Sequence, residues 1–288
     1  SGAKSDTIMD LAPGIQLLFG QSAVNQGQLS YSEDFQFYND DSGLNTGLAK
    51  VDFLSRYDDG KMKLDLNGWF HQVDQATRDV RGNGFLVRRN LTHGDATDEV
   101  TLTENTSVSA GVGYDDTNYK NPSYVNWTWY DVPVKYYYKV EPKLDVSAGF
   151  RYRDNNLDSP GVDSKEYFYS VGARGELAPK ATGEISVGLN QRELAGRSST
   201  KNELGVESTL TYAYSPKTSA VFGINHDFGY SASGTPYDNF GLSGGVVAEV
   251  SSELKVGAQL YYSRYDYIGT QKDDFYQGQL SATYLVNA

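Results

Sequence analysis

The stretch EPKLDVSAGFRYRD, residues 141–154, decides the fold. After the turn Glu141-Pro142-Lys143, Leu144, Val146, Ala148, Phe150 and Tyr152 fall on one side of the chain. Asp145, Ser147, Gly149, Arg151 and Arg153 fall on the other. A two-residue period belongs to an extended strand whose two faces meet different surroundings. The turn recurs as Ala178-Pro179-Lys180 and Ser215-Pro216-Lys217, 37 residues apart each time (179 − 142 and 216 − 179), and then as Ser251-Ser252-Glu253. Glu104 opens an earlier copy, and Val108-Ser109-Ala110-Gly111 returns as Val146-Ser147-Ala148-Gly149. A fixed period of this size marks an array of one supersecondary unit: turn, strand, loop, strand.

Strand length says what kind of array this is. Leu204, Val206, Leu210, Tyr212 and Tyr214 oppose Glu203, Gly205, Glu207, Thr209 and Thr211, and Phe240, Leu242, Val246 and Ala248 oppose Asn239, Ser243 and Glu249. Each run lasts about a dozen residues, where a tilted strand needs roughly 9–11 to cross a bilayer. Soluble strands run to about half that, and a propeller blade would divide the period into four short strands. The pattern predicts an all-β, transmembrane, antiparallel up-and-down barrel of about 14 strands, with lipid outside and water inside.

Composition agrees. The chain has 288 residues, a formal charge of −12, no cysteine and a mean hydropathy of −0.54. A low mean is compatible with a barrel, which needs apolar residues only at alternate positions. No run of about 18 apolar residues is present, so no helix is expected to span a membrane. Without cysteine there is neither a disulfide framework nor a thiolate metal site. No basic patch of the nucleic-acid-binding kind is found in this acidic chain.

Along the chain, residues 1–25 are set apart as an N-terminal periplasmic segment or plug, and 26–288 as the barrel. The apolar patch Ile15 to Phe19 reads equally as tail, plug or extra strand. The first strand runs from about Gln28 to Tyr38, and Asp58-Asp59-Gly60-Lys61 is a tight hairpin turn. From about Val73 to Glu99 the alternation lapses, which predicts one long loop. Strands resume near Ser107 and continue to Val286. The turns at Asp58, Glu104, Pro142, Pro179, Pro216 and Ser252 are short and are assigned to the periplasm. The longer loops Asp154–Asp163, Leu194–Thr200, Ser231–Pro236 and Ile268–Asp273 are assigned to the outside. Tyr136, Tyr138, Tyr212, Tyr214 and Tyr284 form one aromatic belt; Tyr152, Tyr167, Tyr169, Phe228, Tyr230 and Phe240 form the other.

With these Tyr-rich hairpins and short Ser-Pro-Lys turns the chain, over residues 104 to 286, resembles the putative β-barrel porin 2 family of Gram-negative outer-membrane barrels. The resemblance implies passive uptake or, for members encoded beside exopolysaccharide genes, a part in polysaccharide export. The implied location is the bacterial outer membrane, with lipid bilayer and lipopolysaccharide as partners.

The inward face carries both charges. Lys135, Arg151, Arg153, Arg174 and Arg192 are set against Glu184, Glu203, Glu207 and Asp227, with Asp131 and Glu166 among them. Drying so many ions would cost several kcal/mol each, so the lumen is either wet and open or filled by paired ladders. The long loop holds Arg78, Arg81, Arg88 and Arg89. Their guanidinium forks suit the carboxylates of an acidic saccharide if the loop folds inward, or lipopolysaccharide phosphate if it does not. Trp69, Trp127 and Trp129 point inward beside Asn67 or Asp131, where aromatic faces suit sugar rings and packing alike.

Enzyme signatures are scarce. The histidines are His71, His93 and His226, and His226-Asp227 points to opposite faces of its strand, so no hydrolase pair is expected. Asp154-Asn155-Asn156-Leu157-Asp158 lacks the Gly and distal Glu of a calcium loop, so neither metal nor cofactor is expected. The functional expectation is a porin-like channel for saccharides or other small polar solutes. The alternative is a poorly conducting barrel that docks a partner of an export or surface assembly.

Overall fold

The computed structural model describes residues 7–21, 23–40, 42–75, 87–269 and 271–285. Two short strands come first, β1 (Ile8–Leu11) and β2 (Gly14–Phe19). The long strands are β3 (Asn25–Tyr38), β4 (Thr46–Asp58), β5 (Met62–Gln75), β6 (Val87–Thr103), β7 (Thr106–Tyr119), β8 (Trp127–Glu141) and β9 (Leu144–Leu157). They continue as β10 (Ser164–Ala178), β11 (Ala181–Leu194), β12 (Thr200–Ser215), β13 (Thr218–Tyr230), β14 (Pro236–Glu249), β15 (Leu254–Tyr267) and β16 (Lys272–Tyr284). From β3 to β16 each strand pairs antiparallel with its neighbours in sequence, the up-and-down order expected. The roughly fourteen strands read from the sequence are β3–β16. Two more are added by β1 and β2, which both pair with the outer edge of β3. Among the described residues β16 pairs with β15 alone, which leaves a seam in the wall.

The long strands are 13 to 17 residues. At about 3.3 Å per residue and a tilt near 45° a 14-residue strand rises roughly 33 Å, close to the thickness of a bilayer's hydrocarbon core. All short turns lie at one end, and the longer connections lie at the other. In the β4–β5 turn the Asp59 carboxylate accepts the amides of Lys61 (2.9 Å) and Met62 (2.7 Å), while Gly60 takes φ 85°. Those bonds hold the Asp59 carboxyl below the usual carboxylate range.

A soluble sheet would bury its apolar face against a second layer; this one does not. Val112, Val171, Leu204 and Leu260 are exposed by 59%, 63%, 60% and 70%, whereas Glu166 and Arg192 are each 2% exposed. Apolar side chains therefore face outward and charged ones are buried inside the curl, the reverse of a water-soluble fold. The outward rings pair across strands, Tyr114 with Tyr130 at 5.3 Å, Phe150 with Tyr169 at 5.2 Å and Tyr152 with Tyr167 at 5.5 Å.

The structure departs from two expectations. The stretch from Val73 to Glu99 is mostly strand: β5 reaches Gln75 and the 17-residue β6 begins at Val87. From Arg88 to Asp98 the outward positions of β6 are Arg88, Asn90, Thr92, Gly94, Ala96 and Asp98, so before Val100 and Leu102 no hydrophobic rhythm marks a strand that is held by pairing to both neighbours. Phe228 and Tyr230 do not join the outer aromatic belt. They are buried, 5% and 7% exposed, and the Arg192 guanidinium lies over both rings at 4.4 and 4.8 Å.

Candidate lumen site

Register brings the charges together. One row of facing residues crosses eight strands: Asn67, Asp95, Gly113, Asp131, Arg153, Glu166, Arg192 and Lys201. Because side chains alternate strictly, all of them point to the same interior face. Gly113 has a particular reason to be glycine: a Cβ there would overlap the Asp131 carboxylate. The next row toward the loops is Trp69, His93, Asp115, Trp129, Asn155 and Ser164.

At the centre of the network is Glu166. Its carboxylate takes Arg192 Nε at 2.8 Å and Nη2 at 2.6 Å on one oxygen, and Arg153 Nη1 at 3.2 Å on the other. Arg153 also reaches Asp227 at 3.1 Å and lies 4.2 Å over the Trp129 ring. Arg151 pairs with Glu207 and, at 2.9 Å, with Asp227, which further accepts Asn190 Nδ2 at 2.7 Å. These bonds join β9 to β12 and β13 through the interior, skipping the strands between. Opposite charges at such distances in a poorly hydrated space satisfy one another, so the arginines stay buried without stranded charge.

Two satellites extend the network. On the β4–β8 side Trp69 stacks between His71 (4.7 Å) and His93 (5.3 Å). The nitrogens of His93 lie 2.9 Å from Asp115 and 2.8 Å from Asp95, His71 lies 2.8 Å from Asp52, and Trp129 donates to Asp115. Toward the turns, Arg174 forks onto Glu99 (2.7 and 2.6 Å), donates to Asp145 (3.0 Å) and lies 3.5 Å over Tyr137. Lys135 donates to Glu184 at 2.7 Å. Below them a cavity of about 310 Å³, lined by Lys63, Glu99, Lys139, Asp145 and Arg174 among others, lies at the turn end.

The structure thus places Lys135, Arg151, Arg153, Arg174, Arg192, Glu184, Glu207 and Asp227 together inside, with Glu203 beside Lys201 at 3.4 Å. Of the four arginines expected in a loop, Arg88 and Arg89 lie at the start of β6 and point to opposite faces. Arg78 and Arg81 lie outside the described residues. Arg88 donates to the Gly47 carbonyl at 3.2 Å, and Arg89 lies 5.8 Å from the Tyr119 ring. Sequence reading missed the His93 cluster because β6, which carries His93, lacks a hydrophobic rhythm, and because the pairing of His93 with Asp115 of β7 depends on register that the sequence does not print. It missed Asp238, an ion-pair partner of Lys201, because parity is broken where Asp227 and Phe228 both turn inward.

The loop end is covered. The β12–β13 ladder stops at Val206 and His226, while β13 stays paired to β14 as far as Tyr230 and Pro236. Arg192 Nη1 donates to the carbonyls of Gly229 and Tyr237, both at 3.3 Å. Farther out, the Ala232 carbonyl accepts the Val125 amide at 2.8 Å, and Ala232 packs with Val87, Tyr119 and Tyr124. The tip of this hairpin therefore reaches across the interior to the ends of β6 and β7.

Such a wall, apolar outward and charged within, defines a bacterial outer-membrane β-barrel. A family model described as putative beta-barrel porin 2 matches residues 28–288, and the chain belongs to that family. Among solved structures it is similar to the FrpB iron transporter from Neisseria meningitidis. For the F5-1 variant apoprotein the TM-score is 0.53 at 10% identity, covering 99% of this chain and 59% of that one. For the F3-3 variant the TM-score is 0.51 at 10% identity, covering 96% and 58%. The siderophore receptor PirA from Pseudomonas aeruginosa gives 0.50 at 10% identity, covering 94% and 57%. The chain spans under three fifths of the length of these structures, and the likeness is one of fold. No curated protein matches the sequence.

Proposed function

We propose that the protein is a porin-like channel through which saccharides or other small polar solutes, acidic oligosaccharides included, diffuse across the outer membrane. The observation that carries this reading is the inverted wall, with fixed Arg, Lys, Asp and Glu side chains concentrated on the face away from lipid. Passage is by size exclusion and local charge, with no bond made or broken. Arg151, Arg153, Arg174, Arg192 and Lys135 set the field together with Glu184, Glu203, Glu207 and Asp227. Arg78, Arg81, Arg88 and Arg89 would serve either the acidic groups of the solute or lipopolysaccharide phosphate; Arg88, which also donates to the Gly47 carbonyl, keeps further N–H groups for such a contact.

Conductance of the purified protein in planar bilayers tests this. Large stable steps, with ion selectivity that shifts when Arg78, Arg81, Arg88 and Arg89 are neutralised, support it. Unchanged selectivity removes those arginines from the path. A second reading is favoured by how completely the interior charges pair: a poorly conducting barrel that docks an export or surface-assembly partner. Silence in bilayers together with full folding would select it.

A further inference from the structure

The β13–β14 hairpin has an incomplete place in the wall. Its partner β12 stays paired to β11 out to Thr200, yet its own ladder with β12 ends six residues sooner, at Val206 and His226. Beyond that point β13 has lost one neighbour, and its chain turns Asp227 and Phe228 inward together. The Phe228 amide bonds the Asp227 carboxylate at 2.9 Å, a local link that fits a bend better than a continuing ladder.

What holds the hairpin inward is a short set of contacts. Lys201 pairs with Asp238, Arg192 bonds two hairpin carbonyls, and the tip bonds Val125 and fills the pocket of Val87, Tyr119 and Tyr124. Gly234 sits at φ 73°, and a Cβ there would lie 3.1 and 3.2 Å from the Val125 methyls. Beneath the hairpin Asn190 and Ser186 are 2% and 1% exposed, whereas the turn end keeps its cavity of about 310 Å³. Under the hairpin the interior is packed, while open space remains at the turn end and, beside the hairpin, in a loop-end cavity of about 530 Å³ bordered by Asp154, Ser164, Leu194 and Thr200.

We propose that the β13–β14 hairpin is a gate over the loop-side mouth, hinged at Asp227-Phe228 and latched by Lys201–Asp238 and by the seat of Ala232 against Val125. Its opening frees Lys201 from Asp238 and bares the Nη1 edge of Arg192, whose other nitrogens stay on Glu166, so the solute it admits is anionic, a carboxylate-bearing saccharide whose charge replaces that of Asp238. The proposal rests on the channel reading for its purpose, and its labelling test stands without that reading.

Two variants test it in the full chain, which has no native cysteine. In the first, Ser231–Thr235 is replaced by Asn-Gly, a tight turn too short to reach Val125. Ser186→Cys is added as a reporter for a membrane-impermeant thiol reagent supplied from the loop side. Labelling is expected to rise roughly two- to tenfold over Ser186→Cys alone, as for loss of the neutral bond from Val125 to Ala232 with the Lys201–Asp238 pair left in place. The second variant, Val125→Cys with Gly234→Cys, joins the tip to its seat within disulfide reach. Oxidation is expected to suppress bilayer conductance, and reductant to restore it. Galacturonate oligomers are expected to speed labelling of Ser186→Cys with the hairpin intact, and neutral maltose oligomers of equal length are not. Labelling that shortening leaves unchanged overturns the gate. Labelling that rises while every variant is silent in bilayers keeps the gate and overturns the channel. Equal effects of the two sugars overturn the anionic preference.

Discussion

Glu166→Gln is the most informative single change. The side chain of Glu166 is 2% exposed, and those of its partners Arg192 and Arg153 are 2% and 8% exposed. Breaking a fully buried ion pair from one side typically costs about 3–5 kcal/mol, because the surviving charge is left without its counterion. Here two guanidiniums lose a partner, but both are partly compensated. Arg153 keeps Asp227 at 3.1 Å, and Arg192 keeps the carbonyls of Gly229 and Tyr237. The glutamine Oε1 also retains one acceptor. The expected loss is therefore near the lower end, about 3 kcal/mol. Reversible urea unfolding of the barrel from lipid vesicles, followed by tryptophan fluorescence, reads it as a fall in midpoint at unchanged slope. Asp65→Asn is the internal control. Its partner Arg56 is bound at 2.6 Å, but the two side chains are 56% and 45% exposed. A pair that wet is worth about 0.2–1 kcal/mol. Equal small losses for both variants would mean that water screens the Glu166 cluster as it does the Arg56 pair, and the sealed upper interior would be refuted.

Gly113→Ala should destabilise by about 1–3 kcal/mol through overpacking, since its Cβ takes the space of the Asp131 carboxylate; thermal unfolding in detergent checks this, and an unshifted midpoint would contradict the packing. The Asp59 turn should loosen in acid. Its carboxyl is held below its unfolded value of 3.8, so its contribution is present above that pH and disappears as pH falls through the folded value. Exchange of the Lys61 and Met62 amides, corrected for intrinsic rate, should lose protection below about pH 3.8, and Asp59→Ala should abolish that pH dependence. Trp69→Ala removes the plate between His71 and His93. If the lumen conducts, this should widen it and raise conductance without changing strand content by circular dichroism.

Much of the wall was legible in the chain because a strand with lipid on one side and polar groups on the other writes its period directly into the sequence, as in residues 144–153. The Pro-Lys turns set the ends of β8 to β13 within a residue or two. β6 was hidden because pairing to β5 and β7 holds a strand whatever its outward residues, and Asn90, Gly94 and Asp98 carry no apolar signal. The inward face of the charges could be read from parity, but their partners could not. That Arg151 meets Asp227 depends on the curl of the sheet across four strands. Parity itself failed at Asp227-Phe228, where the ladder ends, so the aromatic pair Phe228 and Tyr230 was assigned to the belt instead of the interior.

The central claim, that the outward apolar side chains touch acyl chains while the inward ones do not, has a direct spectroscopic test. The chain contains three tryptophans, Trp69, Trp127 and Trp129, all on the inward side. In vesicles of lipids brominated along the acyl chain, the native fluorescence should be nearly unquenched. Val134→Trp and Phe150→Trp, on the opposite face of β8 and β9, should each add emission that the bromines quench strongly. Strong quenching of the native tryptophans, or none of the two introduced ones, would contradict the account.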